Sequence, residues 1–123
     1  MHRSGKDNLF QRWRLKILFG DGELARICND DDVRRSRYGP ALASAIRRRL
    51  GEISAVAHLA ELRRLPAARL RHHPTRGNGY VLISLGPTAD LLARPRDAPT
   101  LVLPDGRLDE QAVRALVVTE IVL

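Results

Sequence analysis

Four short apolar segments fill the later part of the chain: GYVLISLGP (79–87), ADLLARP (89–95), TLVLPDG (100–106) and LVVTEIVL (116–123). Each has the length of a strand and is set off by Gly, Pro, Asn or Asp, which interrupt regular structure and favour turns. Such a succession predicts a meander of antiparallel strands. Before the last of them, LDEQAVRAL (108–116) fits either a helical turn or an edge connection.

The first half follows a different period. LKILFG (15–20) is short, apolar and stopped by Gly20, as expected of a buried strand. In DGELARICNDDD, Asp21 is a candidate N-cap, Leu24, Ile27 and Cys28 fall at helical spacing, and NDDD is expected to end the helix. A longer helix is expected from Val33 to Leu50, interrupted or restarted near Gly39-Pro40, because proline is tolerated in a first turn but not inside a helix. Its apolar face would be Leu42, Ile46 and Leu50. ISAVAHLAELRRLP (53–66) reads as one more helical turn, with Val56, Leu59 and Leu62 inward and Pro66 closing it. The expected architecture is α+β: an N-terminal strand and two to three helices packed on a twisted, mostly antiparallel sheet.

A chain of 123 residues suits a single domain, here expected over 14–123 behind a polar, flexible leader at 1–13 whose end Trp13 would pin. No apolar run approaches the roughly 18 residues of a membrane span, and the basic start is not followed by the apolar stretch of a signal peptide. A cytoplasmic protein without membrane partners is expected. The single cysteine, Cys28, excludes an internal disulfide and a multi-cysteine zinc site, and reads as a small buried hydrophobe.

Charge narrows the partners. The formal net charge is +7, and eleven arginines between Arg34 and Arg76 face only Glu52 and Glu61, whereas residues 97–123 hold five acids against two arginines. A basic field of this kind favours nucleic acid or an acidic protein. On a helix, Arg47, Arg48 and Arg49 spread round the circumference, so one of them is expected beside the apolar face with its head turned out to water. The run reads as a solvated face or as a set of phosphate contacts. With only Phe10, Trp13, Phe19, Tyr38 and Tyr80 as aromatics, a broad stacking surface for single strands is not expected.

The densest chemistry lies in RLRHHPTRGNGYVLISLGP (69–87). His72 and His73 have no Asp, Glu or Cys near them in sequence and, on a strand, would point apart, which argues against a metal site. Acid-base work is open to them, as is plain exposure at the edge of a strand. Gly77-Asn78-Gly79 precedes a strand rather than a helix, so a tight turn is expected in place of a phosphate cradle. His58 is expected to be structural.

In their order, LKILFGDGELARICNDDD, YGPALASAIRRRLGEISAVAHLAELRRLP and RLRHHPTRGNGYVLISLGP resemble the first strand and helix, the helical hairpin and the His-Pro segment of the HigB-like toxins of the RelE/ParE superfamily, over roughly residues 15–123. The resemblance implies a RelE-like fold and a toxin that cleaves mRNA on the ribosome, needs no metal or cofactor, and is silenced by a cognate helix-turn-helix antitoxin. In that chemistry the ribose 2′-hydroxyl attacks the adjacent phosphate while basic groups move the proton and stabilise the phosphate charge. His73 falls on the family histidine before proline and Arg76 on the basic residue two beyond it. The resemblance thus implies His73, Arg76 and Arg71 as catalytic residues, and Arg47, Arg48, Arg64, Arg69 and His72 as RNA contacts.

Two places depart from the family pattern. Ala89 and Asp90 stand where an aromatic and an arginine are common, and an aspartate there would repel a phosphate; an Asp-Tyr-His tail after the last strand is replaced by TEIVL. These departures leave two alternatives: a non-enzymatic, ParE-like topoisomerase inhibitor, or a catalytically impaired homologue that only binds its antitoxin.

Overall fold

The computed structural model describes residues 14–77, 79–98 and 100–123; the expected leader, the Trp13 anchor and Asn78 lie outside them. The elements are β1 (Lys16–Phe19), α1 (Gly22–Asn29), α2 (Asp31–Ala55), 3₁₀ turns at Leu59–Arg64 and Pro66–Ala68, β2 (Arg71–His72), β3 (Val81–Ser84), β4 (Asp90–Pro95), a 3₁₀ turn at Glu110–Ala112 and β5 (Ala115–Val122). The fold is α+β, with helices against a five-stranded, mixed, open sheet of order β1-β5-β4-β3-β2. β1 runs parallel to β5, and the other pairs are antiparallel.

The helical half begins where its capping residues dictate. Asp21 accepts a hydrogen bond from the Leu24 amide at 2.8 Å and starts α1, whose Leu24, Ile27 and Cys28 are buried. NDDD ends α1 as expected, and it also opens the next helix. The Asp30 N–H closes α1 on the Arg26 carbonyl, while its carboxylate accepts from the Asp32 and Val33 amides and opens α2 at once. The expected interruption is present: Gly39 adopts φ 83°, a region open to glycine, and Pro40 starts the second segment. That segment runs on to Ala55 rather than stopping at Leu50, with Ile46 and Ile53 buried and Leu42 and Leu50 packed against the core.

Two expectations for the connections are corrected. Residues 53–66 do not form one helical turn closed by Pro66; α2 ends at Ala55, a 3₁₀ turn buries Leu59 and Leu62, and Pro66 opens the next turn. TLVLPDG is not a sheet strand. Its single bridge, Val102 to Leu108, folds 100–108 into a loop that leads to the Glu110–Ala112 turn.

Register in the sheet's centre is kept by a bulge. Ala93 pairs with Val118 and Leu92 with Glu120, which leaves Thr119 as the extra residue, its hydroxyl 3.3 Å from the Leu92 carbonyl. The insertion lets Leu116, Val118 and Ile121 all face the core while Glu120 stays exposed. Strict alternation from Val118 would have turned Glu120 inward.

Two arginines of the basic segment belong to the core. Arg34, 3 % exposed, bonds the Ile27 and Cys28 carbonyls at the end of α1 and pairs with Asp31. Arg49 does not turn its head out to water: it is 5 % exposed, its Nε donates to the Ser84 carbonyl at 2.8 Å, and it pairs with Glu52. It therefore ties α2 to the end of β3. Truncating it strands a buried carbonyl and half of an ion pair, so Arg49→Ala is expected to cost about 3 kcal/mol in urea denaturation. Arg48→Ala, at an exposed position one residue away, is expected to change stability by no more than about 0.5 kcal/mol; equal effects would contradict this placement of Arg49.

Candidate functional site

β2 is only two residues long and forms the sheet edge, pairing Arg71 with Leu82 and His72 with Val81 of β3. Successive strand residues face opposite sides, so Arg71 and His72 part company. Arg71 reaches across to Asp90 on β4, at 2.7 Å, and to the Arg69 carbonyl at 2.9 Å. The residue expected to stabilise phosphate charge and the aspartate expected to repel phosphate are thus partners in one half-buried ion pair.

Beyond β2 the chain makes a compact loop. The His73 N–H donates to the Tyr80 carbonyl at 3.0 Å, and the His73 Nδ1 accepts from the backbone amides of Thr75 and Arg76 at 3.2 and 3.0 Å. Two donors on Nδ1 require its lone pair, which puts the ring proton of the neutral imidazole on Nε2. The Arg76 guanidinium sits 4.9 Å over the Tyr80 ring, a cation–π contact that fixes where its charge lies. Gly79 has φ 75°, and a Cβ there would meet Leu108 and Pro95 side chains at 3.1 to 3.3 Å. The turn expected at 77–79 is present in the Gly77 carbonyl to Tyr80 N–H contact, and glycine is demanded twice at position 79.

The loop borders a groove of about 240 Å³ lined by His72, His73, Arg76, Tyr80, Arg107 and Leu108. A second groove, of about 450 Å³, has Arg63, His72, Arg107, Leu108 and Glu110 on its walls. The two share His72, Arg107 and Leu108, so His72 stands between them.

Glu110 was not legible as a site residue. It rises from the 3₁₀ turn before β5 with a side chain only 14 % exposed, and Arg63 grips both its oxygens at 2.7 Å. The His72 Nε2 lies 3.3 Å from Glu110 Oε2. The doubly bonded Arg63 holds the Glu110 carboxyl below the usual carboxylate range, against the opposing effect of its own burial, and His72 adds a smaller push in the same direction. Glu110 in turn raises Arg63, mainly through the same hydrogen bonds. Arg107, also unforeseen, bonds Asp105 at 2.7 Å through its side chain; with its backbone N–H, the larger influence, it lowers the Asp105 carboxyl.

The other expected RNA contacts are placed elsewhere. Arg47 is exposed beside a separate cavity of about 150 Å³ at the α2 kink, shared with Arg34 and Arg35. Arg48, Arg64 and Arg69 are exposed and line neither groove, and Arg69 carries a φ of 43°, uncommon for a residue with a side chain. Among the described residues, Arg47, Arg48, Arg64, Arg69 and Arg76 have no acidic partner, unlike Arg35, Arg37, Arg63 and Arg71. Cys28 is buried on α1, and burial pushes its thiol up to about 11 despite the nearby Arg34. Among the described residues no three His, Cys, Asp or Glu side chains gather where they could hold a metal ion.

No known family model, curated protein or solved structure matches this chain.

Because its folded-state value is lowered, Glu110 contributes stability that is present above the ordinary carboxylate range and lost as pH falls through the lowered value. The stability advantage of the native protein over Glu110→Gln is therefore expected to be fullest above about pH 5 and to shrink toward about pH 3; denaturation curves at several pH values measure it, and a pH-independent gap would contradict it. Gly79→Ala, strained and crowded at once, is expected to lower stability by roughly 1–3 kcal/mol, whereas Gly77→Ala, with open space around it, is expected to change it far less.

Proposed function

We propose that this chain is the toxin of a toxin–antitoxin pair: a cytoplasmic endoribonuclease of the HigB-like, RelE-type kind that cuts mRNA on the ribosome without a metal and is silenced by a helix-turn-helix antitoxin. The observation that carries this reading is the single groove bordered by two imidazoles, a guanidinium fixed over an aromatic ring, and Arg107. Such a groove suits a phosphodiester. The Nε2–H of His73 and the Arg76 guanidinium are hydrogen-bond donors for the non-bridging phosphate oxygens, whose charge grows as the 2′-oxygen attacks. The backbone amides on Nδ1 favour phosphate contact for His73 over proton abstraction through Nε2. Arg47, Arg48, Arg64 and Arg69, without acidic partners, are free to contact the RNA backbone and to make binding salt-dependent.

One observation favours a second reading. The Arg71–Asp90 pair commits to structure a guanidinium that cleavage was expected to use, which suits a non-enzymatic toxin that blocks a topoisomerase, or a homologue that only binds its antitoxin.

Purified protein added to a translating extract is expected to cut mRNA at ribosome positions, with His73→Ala and Arg76→Ala each slowing cleavage by about 10²-fold. Intact mRNA at saturating protein would rule the first reading out, and inhibited DNA supercoiling with intact mRNA would establish the topoisomerase alternative.

A further inference from the structure

We infer that the proton-accepting group of this groove is His72, and that Glu110, clamped by Arg63, is the residue that orients it. The inference rests on the RNA-cleaving reading above and assigns a step within it. Of the two histidines, His73 has its Nδ1 occupied by two backbone amides. His72 is bonded the other way round. Its Nε2 faces the Glu110 carboxylate at 3.3 Å, which favours the proton on that nitrogen and leaves the Nδ1 lone pair without a partner among the described residues. The side chain is 47 % exposed and lines both grooves, so substrate can reach it.

Glu110 is suited to this task because both of its carboxylate oxygens are held. Its carboxylate is held by the planar fork of Arg63 through two bonds of 2.7 Å, and Arg63 is anchored in turn on the Leu70 carbonyl at 3.1 Å. A bidentate, largely buried carboxylate has one orientation, and it passes that orientation to the imidazole beside it. Arg63, Arg107 and Asp109 line the groove around Glu110, and His73, Arg76 and Arg107 line the other; Arg107 is paired with Asp105, and among the described residues the carboxylate in contact with His72 is that of Glu110.

In the step assigned to it, the His72 Nδ1 takes the proton of the 2′-hydroxyl. The 2′-oxygen forms a bond to phosphorus, the bond from phosphorus to the 5′-oxygen breaks, and the departing 5′-oxygen takes a proton from water. The products are a 2′,3′-cyclic phosphate and a 5′-hydroxyl. His72 is the catalytic residue and Glu110 and Arg63 are positioning residues.

The test separates orientation from cleavage. In the ¹⁵N-labelled full chain, long-range nitrogen–proton correlation reads which ring nitrogen carries the proton. The native His72 is expected as the Nε2–H form, Glu110→Gln as a mixture of forms, and His73 as Nε2–H in both. In parallel, the rate of mRNA cleavage in the translating extract is expected to fall about 10²-fold in His72→Ala and in Glu110→Gln, and less in Arg63→Lys, which keeps the charge but loses the fork. An Nδ1–H form of His72 in the native protein, or a tautomer indifferent to Glu110→Gln, overturns the inference whatever the RNA does. The expected tautomers with unimpaired cleavage by His72→Ala overturn the catalytic assignment while leaving RNA cleavage standing. The expected tautomers with no cleavage by the native protein overturn RNA cleavage itself, and the step with it.

Discussion

The last strand in sequence holds the fold together. β5 lies between β1, its parallel partner, and β4, its antiparallel partner, so among the described residues the ladder that joins the N-terminal strand to the meander runs through it. Hydrogen bonds just outside the ladder extend this role: the Lys16 N–H reaches the Arg114 carbonyl, and the Leu59 N–H reaches the Val113 carbonyl. Because both neighbours are hydrogen-bonded, β5 is buried along Ala115–Val118. The Thr119 bulge then corrects the parity of the strand, so that Ile121 returns to the core after Val118. The charged Glu120 is tolerated in a central strand only because that extra residue keeps it at the surface.

The same strand places the groove. The turn that carries Glu110 immediately precedes β5, and the 3₁₀ turn that carries Arg63 is tied to Val113 through Leu59. On the far edge, β2 presents His72. The Arg63–Glu110–His72 contacts therefore join three segments that the sheet brings together around β5.

Arginine is used here in three different ways, and the differences are physical. Arg34 and Arg49 are interior residues whose guanidinium forks satisfy carbonyls that the helix ends and the β3 turn would otherwise leave bare. Arg63 and Arg71 are bound to Glu110 and Asp90 and give the surrounding field little net charge. Arg47, Arg48, Arg64, Arg69 and Arg76 remain with charges unanswered by any acid among the described residues, and they carry the basic character that counting alone spreads over the whole segment. Net charge is a sum over all three groups and cannot tell them apart.

Several local signals in the sequence were sufficient where the controlling interaction is local, although the turns over 53–66 were not resolved by them. Asp21 starts a helix because its carboxylate reaches an amide three residues on, Gly39-Pro40 breaks one because proline brings no N–H and glycine admits a positive φ, and the apolar runs at 79–87, 89–95 and 116–123 hold the strands Val81–Ser84, Asp90–Pro95 and most of Ala115–Val122. The tight turn before Tyr80 and the burial of Cys28 were legible for the same reason. What the tertiary structure alone decided involves residues far apart in the chain. TLVLPDG has strand composition but finds no ladder, and Arg49 lies within an exposed-looking run but is drawn inward by a carbonyl 35 positions away. Arg71 and Asp90 cancel each other across β3, and Glu110 meets its clamp Arg63 across 47 positions. A hydrogen bond between distant residues leaves no period in the sequence, because it depends on where the sheet sets its ends. The identity of each side chain was written in the chain, and its partner was chosen by the fold.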